Sequence, residues 1–343
     1  MDPEFAAAIA SSGASNVELS SDIAPTRRFF HAAFTETFRS FAKPNLPSES
    51  LYEVHERTIP VKDGVISVRC IIPAGDDESK TYPVLVNIHG GGWSVGSLEV
   101  DDYTMRELCV KLVLSTVNVG YRLAPEHPFP TQVEDCLAAL KWTVENTSLL
   151  KADLPKGFVV GGMSAGANLS AVLSHIVRDD PFFEGRRLTG QLLREPLVCH
   201  PDAYPERLKS EFRSIEDNKD VPPVTRAFLD LFFGWYNAPP QDPRFSPLLY
   251  PSHAGLPRAY IQTMELDPLR DDGIVYAKTL REAGVEVKQD LYPGVSHGFH
   301  YVWPTITAAG KVRKDLVEGV RWLLKAEKNV SRALIVPRRH SML

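Results

Sequence analysis

Ser164 lies in Gly162-Met163-Ser164-Ala165-Gly166, a G-x-S-x-G sequence between the apolar run Phe158-Val159-Val160 and an apolar helical face of Leu169, Ala171, Val172, Leu173 and Ile176. A serine on a tight strand-to-helix turn presents its oxygen above a sheet, and small flanking residues let strand and helix approach. The helix start also favours negative charge beside the hydroxyl. The chemistry on offer is nucleophilic attack on a carbonyl, provided that a base and a place for the oxyanion exist elsewhere. Alone, the pattern equally suits a glycine-rich connection with a capping serine. The rest of the chain has to decide.

Three further stretches sit where strands of a parallel sheet would end, the edge at which open α/β sheets place ligands. The apolar run Val84–Ile88 leads directly into His89-Gly90-Gly91-Gly92-Trp93. Consecutive glycines leave backbone N–H groups unshielded, so Gly91 and Gly92, with the N–H of Ala165, can form an oxyanion site. Glu265-Leu266-Asp267-Pro268-Leu269-Arg270-Asp271-Asp272 follows another apolar run. Asp267, at the strand end, is placed to orient an imidazole, whereas Asp271 and Asp272 suit helix capping. His297, in Gly294-Val295-Ser296-His297-Gly298-Phe299, comes just after the last strand. The chain order Ser164, Asp267, His297 is the order of nucleophile, acid and base on a hydrolase sheet.

The elements that must position these residues follow from periodicity. A hairpin is expected across Glu53–Pro60 and Val65–Pro73, joined by Lys62-Asp63-Gly64. Strands near 84–88, 114–119, 158–160, 191–199, 259–264 and 285–291 alternate with helices near 101–111, 131–146, 272–283 and 308–327. That alternation predicts an α/β fold with a mostly parallel sheet and helices on both faces. Between Cys199 and Arg258 the rhythm breaks, and Phe228, Phe232, Phe233, Trp235 and Tyr236 mark an apolar insertion read as part of a cap. Phe30, Phe34, Phe38 and Phe41 recur at helical spacing from Pro25 onward, a stripe that suits packing or the lining of an acyl pocket. Residues 6–22 read as small, polar and without fixed structure, and Met1-Asp2-Pro3-Glu4-Phe5 as a vector-derived leader outside the fold.

Composition bounds the answer. With 343 residues, 43% hydrophobic and 24% charged, the chain is long enough for a large core. A net charge of −5 without a basic run points away from nucleic acid. No apolar run approaches the ~20 residues of a membrane-spanning helix. The four cysteines, Cys70, Cys109, Cys136 and Cys199, show neither C-x-x-C nor zinc spacing, which fits free thiols, no metal and a cytoplasmic setting. The closing Ser341-Met342-Leu343 is similar to the S-K-L peroxisomal address, with Met in place of Lys.

Taken together, the sequence resembles the hormone-sensitive-lipase-type branch of the α/β-hydrolases, and microbial and fungal carboxylesterases in particular. The landmarks are His89-Gly90-Gly91-Gly92-Trp93, Tyr121-Arg122-Leu123-Ala124-Pro125-Glu126, the serine turn, Asp267-Pro268-Leu269-Arg270-Asp271 and His297-Gly298-Phe299. The resemblance implies a capped α/β-hydrolase fold, with residues 1–50 as an N-terminal cap segment, 51–328 as the catalytic domain carrying a cap insertion near 200–245, and 329–343 as a tail. It implies hydrolysis of a small-molecule ester without cofactor or metal. Ser164 would be nucleophile, His297 base, Asp267 orienting acid, and Gly91, Gly92 and Ala165 oxyanion donors. Trp93, Phe30, Phe34 and Phe233 are the expected substrate contacts, so hydrophobic short- to medium-chain or aromatic esters fit, as in fungal secondary metabolism; a homodimer is left open. Two positions depart from the family's Gly-Asp-Ser-Ala-Gly-Gly: Met163 replaces Asp, and Ala167 replaces the second Gly. The alternatives are a lyase or acyltransferase on the same scaffold, and a non-catalytic receptor, against which the presence of His297 argues.

Overall fold

Five fully buried residues, Val84–Ile88, form the central strand to which the rest of the sheet is added. The structure, a computed structural model, describes residues 1–12, 21–75, 77 and 79–324. In chain order its elements are α1 (Pro3–Ser12), α2 (Ile23–Phe30), a π-helical turn (His31–Glu36), α3 (Thr37–Ala42), β1 (Tyr52–Val61), β2 (Gly64–Pro73), β3 (Val84–Ile88), α4 (Asp102–Leu112), β4 (Ser115–Gly120) and α5 (Thr131–Glu145). There follow β5 (Phe158–Met163), α6 (Ala165–Asp179), β6 (Gly190–Arg194), α7 (Ser214–Asp217), α8 (Arg226–Tyr236), β7 (Arg258–Met264), α9 (Arg270–Glu282), β8 (Val287–Tyr292), α10 (Phe299–Val302) and α11 (Thr307–Leu323).

The described strands make one eight-stranded sheet in the order β1-β2-β4-β3-β5-β6-β7-β8. β1 and β2 form the expected antiparallel hairpin, with Asp63 in the left-handed region at its turn, and β2 meets β4 antiparallel. Every other pairing is parallel. Helices cover both faces because successive side chains of a strand point opposite ways. Val84, Val86 and Ile88 pack with Leu140 of α5 and Leu169 and Val172 of α6. Leu85, Val159 and Leu192 pack with Met105 of α4 and Leu316 and Val320 of α11 on the other side. Each of these fully buried aliphatic side chains contributes roughly 1.5–3 kcal/mol of transfer free energy.

Several expectations need correction. Pro3–Ser12 is helical, and Phe5 is fully buried edge-on against Phe299 and Trp303. Glu4 accepts hydrogen bonds from the N–H and hydroxyl of Thr307, so this segment packs against the fold instead of standing outside it. The Phe stripe is not one regular helix: a π turn separates α2 from α3 and brings the Phe30 and Phe34 rings into a stack 4.6 Å apart. β6 stops at Arg194, short of the expected end near Cys199. Asp271 and Asp272 do not cap α9, whose flanking residue is Leu269. Asp271 accepts from the N–H groups of Arg213 and Ser214, and Asp272 from those of Val198 and Cys199, so both fasten the 195–218 connection to the sheet edge. All four cysteines are free and buried. No helix among the described residues is long and apolar enough to cross a membrane. The expected tail 329–343 lies outside the described residues.

Candidate active site

Ser164 follows β5 directly and opens α6 with φ 56° and ψ −118°, a strained conformation for a side-chain-bearing residue. Its N–H donates to Arg194 O (2.8 Å) and its carbonyl accepts from Asn168 N (2.9 Å), which holds the turn between two strands and a helix. Glycine is obligatory on the inner side: a Cβ at Gly166 would stand 1.9 Å from Ile88 O, and one at Gly162 2.2 Å from the same atom.

His297 and Asp267 arrive from the loops after β8 and β7. The Ser164 hydroxyl lies 2.9 Å from His297 Nε2, and His297 Nδ1 lies 2.8 Å from Asp267 Oδ2. A carboxylate can only accept, so the neutral imidazole carries its proton on Nδ1 and leaves Nε2 to accept from the serine. Asp267 Oδ1 accepts from Leu269 N at 2.7 Å, and Asn218 Nδ2 donates to the Asp267 carbonyl at 3.0 Å, so the acid cannot rotate away. His297 and Asp267 are buried, while Ser164 is partly open to the cavity. Such a relay can take a proton from the hydroxyl during attack and return it to a leaving group.

A third acid, which sequence reasoning missed, completes the cluster. Glu195, immediately after β6, places Oε2 3.5 Å from His297 Nδ1, accepts from Gly298 N at 2.5 Å, and accepts through Oε1 from His300 Nε2 at 2.8 Å. Burial alone would make the His297 imidazolium less favourable, but the Asp267 and Glu195 carboxylates outweigh it and push the pKa up to about 9. Burial and the Glu195 charge push Asp267 upward from its ordinary value against the pull of His297. Burial also disfavours the charged form of Glu195, yet His297, His300 and the Gly298 N–H hold that carboxyl below its usual range. Glu195, Asp267 and His297 bring ligand-type atoms within 4.8 Å of one another, and all of them are already committed to the hydrogen bonds described. The one sequence signal for Glu195 is a charged pair, Arg194-Glu195, closing an otherwise apolar run.

The glycine loop after β3 faces the serine. Gly91 and Gly92 have φ of 120° and 54°, and Ser94 N and Val95 N both donate to Gly91 O, which closes the loop into a compact turn. Among the described residues the N–H groups of Gly91, Gly92 and Ala165 donate to no protein acceptor. Arg27 braces the loop by donating from Nε to Ser94 O and from NH2 to Ala124 O while pairing with Glu126 at 2.7 Å. Ser164, Ala165, His297, Gly91 and Gly92 all line one cavity of about 230 Å³. All four expected substrate contacts line it too: Phe30, Phe34, Trp93 and Phe233. Phe232, Met163, Leu197, Val224, Leu229 and Leu269 extend the apolar wall.

Comparisons with known proteins identify the family. Residues 85–301 match the family described as alpha/beta hydrolase fold. A solved structure of vibralactone cyclase superposes with a TM-score of 0.89 at 41% identity, covering 94% of this chain and 95% of that one. Versiconal hemiacetal acetate esterase of Dothistroma septosporum is 35% identical over 75% of this chain and 78% of its own length. The carboxylesterase NlhH of Mycobacterium tuberculosis is 38% identical over 74% of this chain and 78% of its own.

Proposed function

The chain belongs to the α/β-hydrolase family and is a carboxylic ester hydrolase of the carboxylesterase type, and from that premise we propose that Ser164, His297 and Asp267 are its catalytic triad. The observation that carries this reading is the unbroken pair of hydrogen bonds, 2.9 Å from Ser164 Oγ to His297 Nε2 and 2.8 Å from His297 Nδ1 to Asp267, at the wall of an apolar cavity. Ser164 Oγ attacks the ester carbonyl as His297 takes its proton. The oxyanion is received by the N–H groups of Gly91, Gly92 and Ala165. His297 then protonates the leaving alcohol, and a water activated by the same imidazole frees the acyl group.

The substrate class follows from the lining. Phe30, Phe34, Trp93, Phe232 and Phe233 line the cavity with the serine, and Arg27, the arginine among the lining residues, is already engaged by Glu126 and two carbonyls. The site therefore selects neutral short- to medium-chain or aromatic esters and disfavours substrates that bring a charge into it. The cap in this reading consists of residues 1–50 together with the insertion near 200–245, where Phe228 and Phe232 of α8 meet Phe30 of α2 edge-on.

Ser164→Ala tests the reading. The variant is expected to fold as the wild type and to lose hydrolysis of p-nitrophenyl butyrate, while a fluorophosphonate adds covalently to Ser164 of the wild type alone. Wild-type protein inert to every short neutral ester would sink it. A second reading rests on the likeness to a cyclase: the acyl group is taken by a hydroxyl of the same substrate instead of by water. Mass analysis of products in H₂¹⁸O separates the two, since only hydrolysis incorporates the label into the acid. For localisation, the C-terminal Ser341-Met342-Leu343 is proposed as a peroxisomal address. A fluorescent protein carrying residues 329–343 should appear in puncta with a peroxisomal marker, and diffuse signal would refute the address.

A further inference from the structure

We propose that Glu195 is a positioning residue for the reaction: a second buried carboxylate that shares with Asp267 the negative charge facing the His297 imidazole and fixes the loop that carries it. This rests on the triad reading above.

Glu195 is 1% exposed, and an ionised carboxyl so placed is costly unless it is hydrogen-bonded and paired. It is both. Oε2 accepts from Gly298 N at 2.5 Å and faces His297 Nδ1 at 3.5 Å, and Oε1 accepts from His300 Nε2 at 2.8 Å. Its backbone is itself an outlier, with φ 52° in the left-handed region. The strain is held by the N–H of Glu195 donating to Gln262 O on β7 at 2.8 Å, and it turns the side chain off the end of β6 under the histidine loop. A residue needed only to end a strand has no reason to carry a charge into a dry site.

The charged groups packed around this carboxylate can all be named. Arg194, on its own strand, is committed to Asp101 at 3.2 Å and to the Tyr301 hydroxyl at 2.6 Å. Asp267 comes from the loop after β7, and His297 and His300 flank Gly298. Arg313 of α11 adds positive charge near His300, whose pKa is lowered, first by burial. His300 is therefore a neutral N–H donor, and the positive charge created when His297 takes the serine proton is the one that Glu195 meets. At 3.5 Å that charge is close enough to stabilise the imidazolium without competing for Nδ1–H, which belongs to Asp267.

The test separates this role from that of a loop anchor. Glu195→Gln keeps an acceptor for Gly298 N and an amide for His300, which can change tautomer, but removes the charge. Two readouts are followed against pH: kcat for p-nitrophenyl butyrate, and the His297 imidazole titration by NMR. In the variant the acid limb and the NMR midpoint are expected to move to lower pH by about one unit or more, with kcat roughly tenfold lower on the plateau and KM little changed. A loop anchor alone would lower kcat and leave both midpoints where they are in the wild type, and that result overturns the proposal. Should Glu195→Gln fail to fold, Glu195→Asp keeps the charge at shorter reach. Its midpoint must then fall between that of the wild type and the ordinary imidazole value of about 6.5, and an unmoved midpoint again overturns the proposal. The NMR arm needs no turnover. A moved midpoint in a protein inert to esters would therefore reject the proposed function while leaving the second carboxylate in place.

Discussion

Gly92→Ala probes the proposed oxyanion loop where the structure gives the perturbation a size. Gly92 has φ 54°, and a Cβ there would lie 2.2 Å from Phe232 Cγ and 2.5 Å from both neighbouring ring carbons. Alanine in a left-handed conformation costs about 1–2 kcal/mol on its own. The ring contact is worse, since carbon atoms prefer ~3.5–4.0 Å, so ring and loop must separate by more than ~1 Å. Phe232 cannot simply swing aside: it is packed edge-on against Phe30 at 5.6 Å and Trp235 at 5.8 Å. The loop therefore gives way, and with it the N–H groups of Gly91 and Gly92 move off the position proposed for the oxyanion. Displacement on this scale costs roughly 10² in rate, and loss of one donor roughly 10²–10³. The assay is kcat for p-nitrophenyl butyrate, with thermal unfolding to register the backbone cost. Gly92→Ala with Phe232→Ala removes the clash but keeps the strained alanine, so most of the kcat loss should return while the stability loss remains. A single variant with wild-type kcat, or a double variant no faster than the single, would refute the reasoning.

The remaining predictions concern the histidine and the pocket wall. With the His297 pKa pushed up to about 9, hydrolysis should rise with pH across the neutral range, and its acid limb should centre above the ordinary imidazole value; a profile flat from pH 6 to 9 would contradict the charge arrangement. The linked stability runs the other way. A raised folded-state pKa stabilises the fold fully below the unfolded value of about 6.5 and loses that contribution as pH climbs through about 9, so the melting-point advantage of wild type over His297→Gln should shrink between those limits. EDTA should leave the rate unchanged, because every step assigned above is carried by side chains and backbone N–H groups. Phe34 lines the cavity beside Phe30 and touches the His297 loop, where a Cβ at Gly298 would meet its Cε1 at 2.8 Å. Phe34→Ala should therefore shift acyl preference toward longer p-nitrophenyl esters, measured as the ratio of kcat/KM for decanoate over butyrate, and an unchanged ratio would reduce Phe34 to packing.

What could be read in the sequence was whatever depends on local pattern. The serine turn, the glycine loop and the residues that end β7 each follow a buried apolar strand, so Ser164, Gly91, Gly92 and Asp267 could be located from apolar runs. β8 is half-exposed and mixed in composition, and His297 is located by its place after Asp267 in the chain order. What could not be read depends on contact across the chain. Phe5 stands among small residues without a period, and its burial is decided by Phe299 and Trp303, nearly the whole chain away. Asp271 and Asp272 look like caps because they precede a helix, yet their partners are N–H groups more than fifty residues earlier. The π turn was invisible because Phe30 and Phe34 keep helical spacing in sequence while the widened turn alters how the rings meet.

Met163 and Ala167, the departures from the resembling family, gain a physical account from the same cross-chain view. Ala167 is fully buried among Leu193 and Val198, where its methyl group fills space. Met163 is buried and lines the cavity, so an apolar side chain there extends its apolar wall. An acid at 163 would carry its charge into that wall. The parallel register pairs Met163 with Arg194, which puts Glu195 one strand over and one residue on, beside Ser164 at the sheet edge. From there its carboxylate reaches His297 from beneath the loop, away from the cavity face that Met163 keeps apolar. In the proposed mechanism, charge for the imidazolium and an uncharged pocket for the ester make opposite demands on residues next to Ser164, and assigning them to neighbouring strands satisfies both.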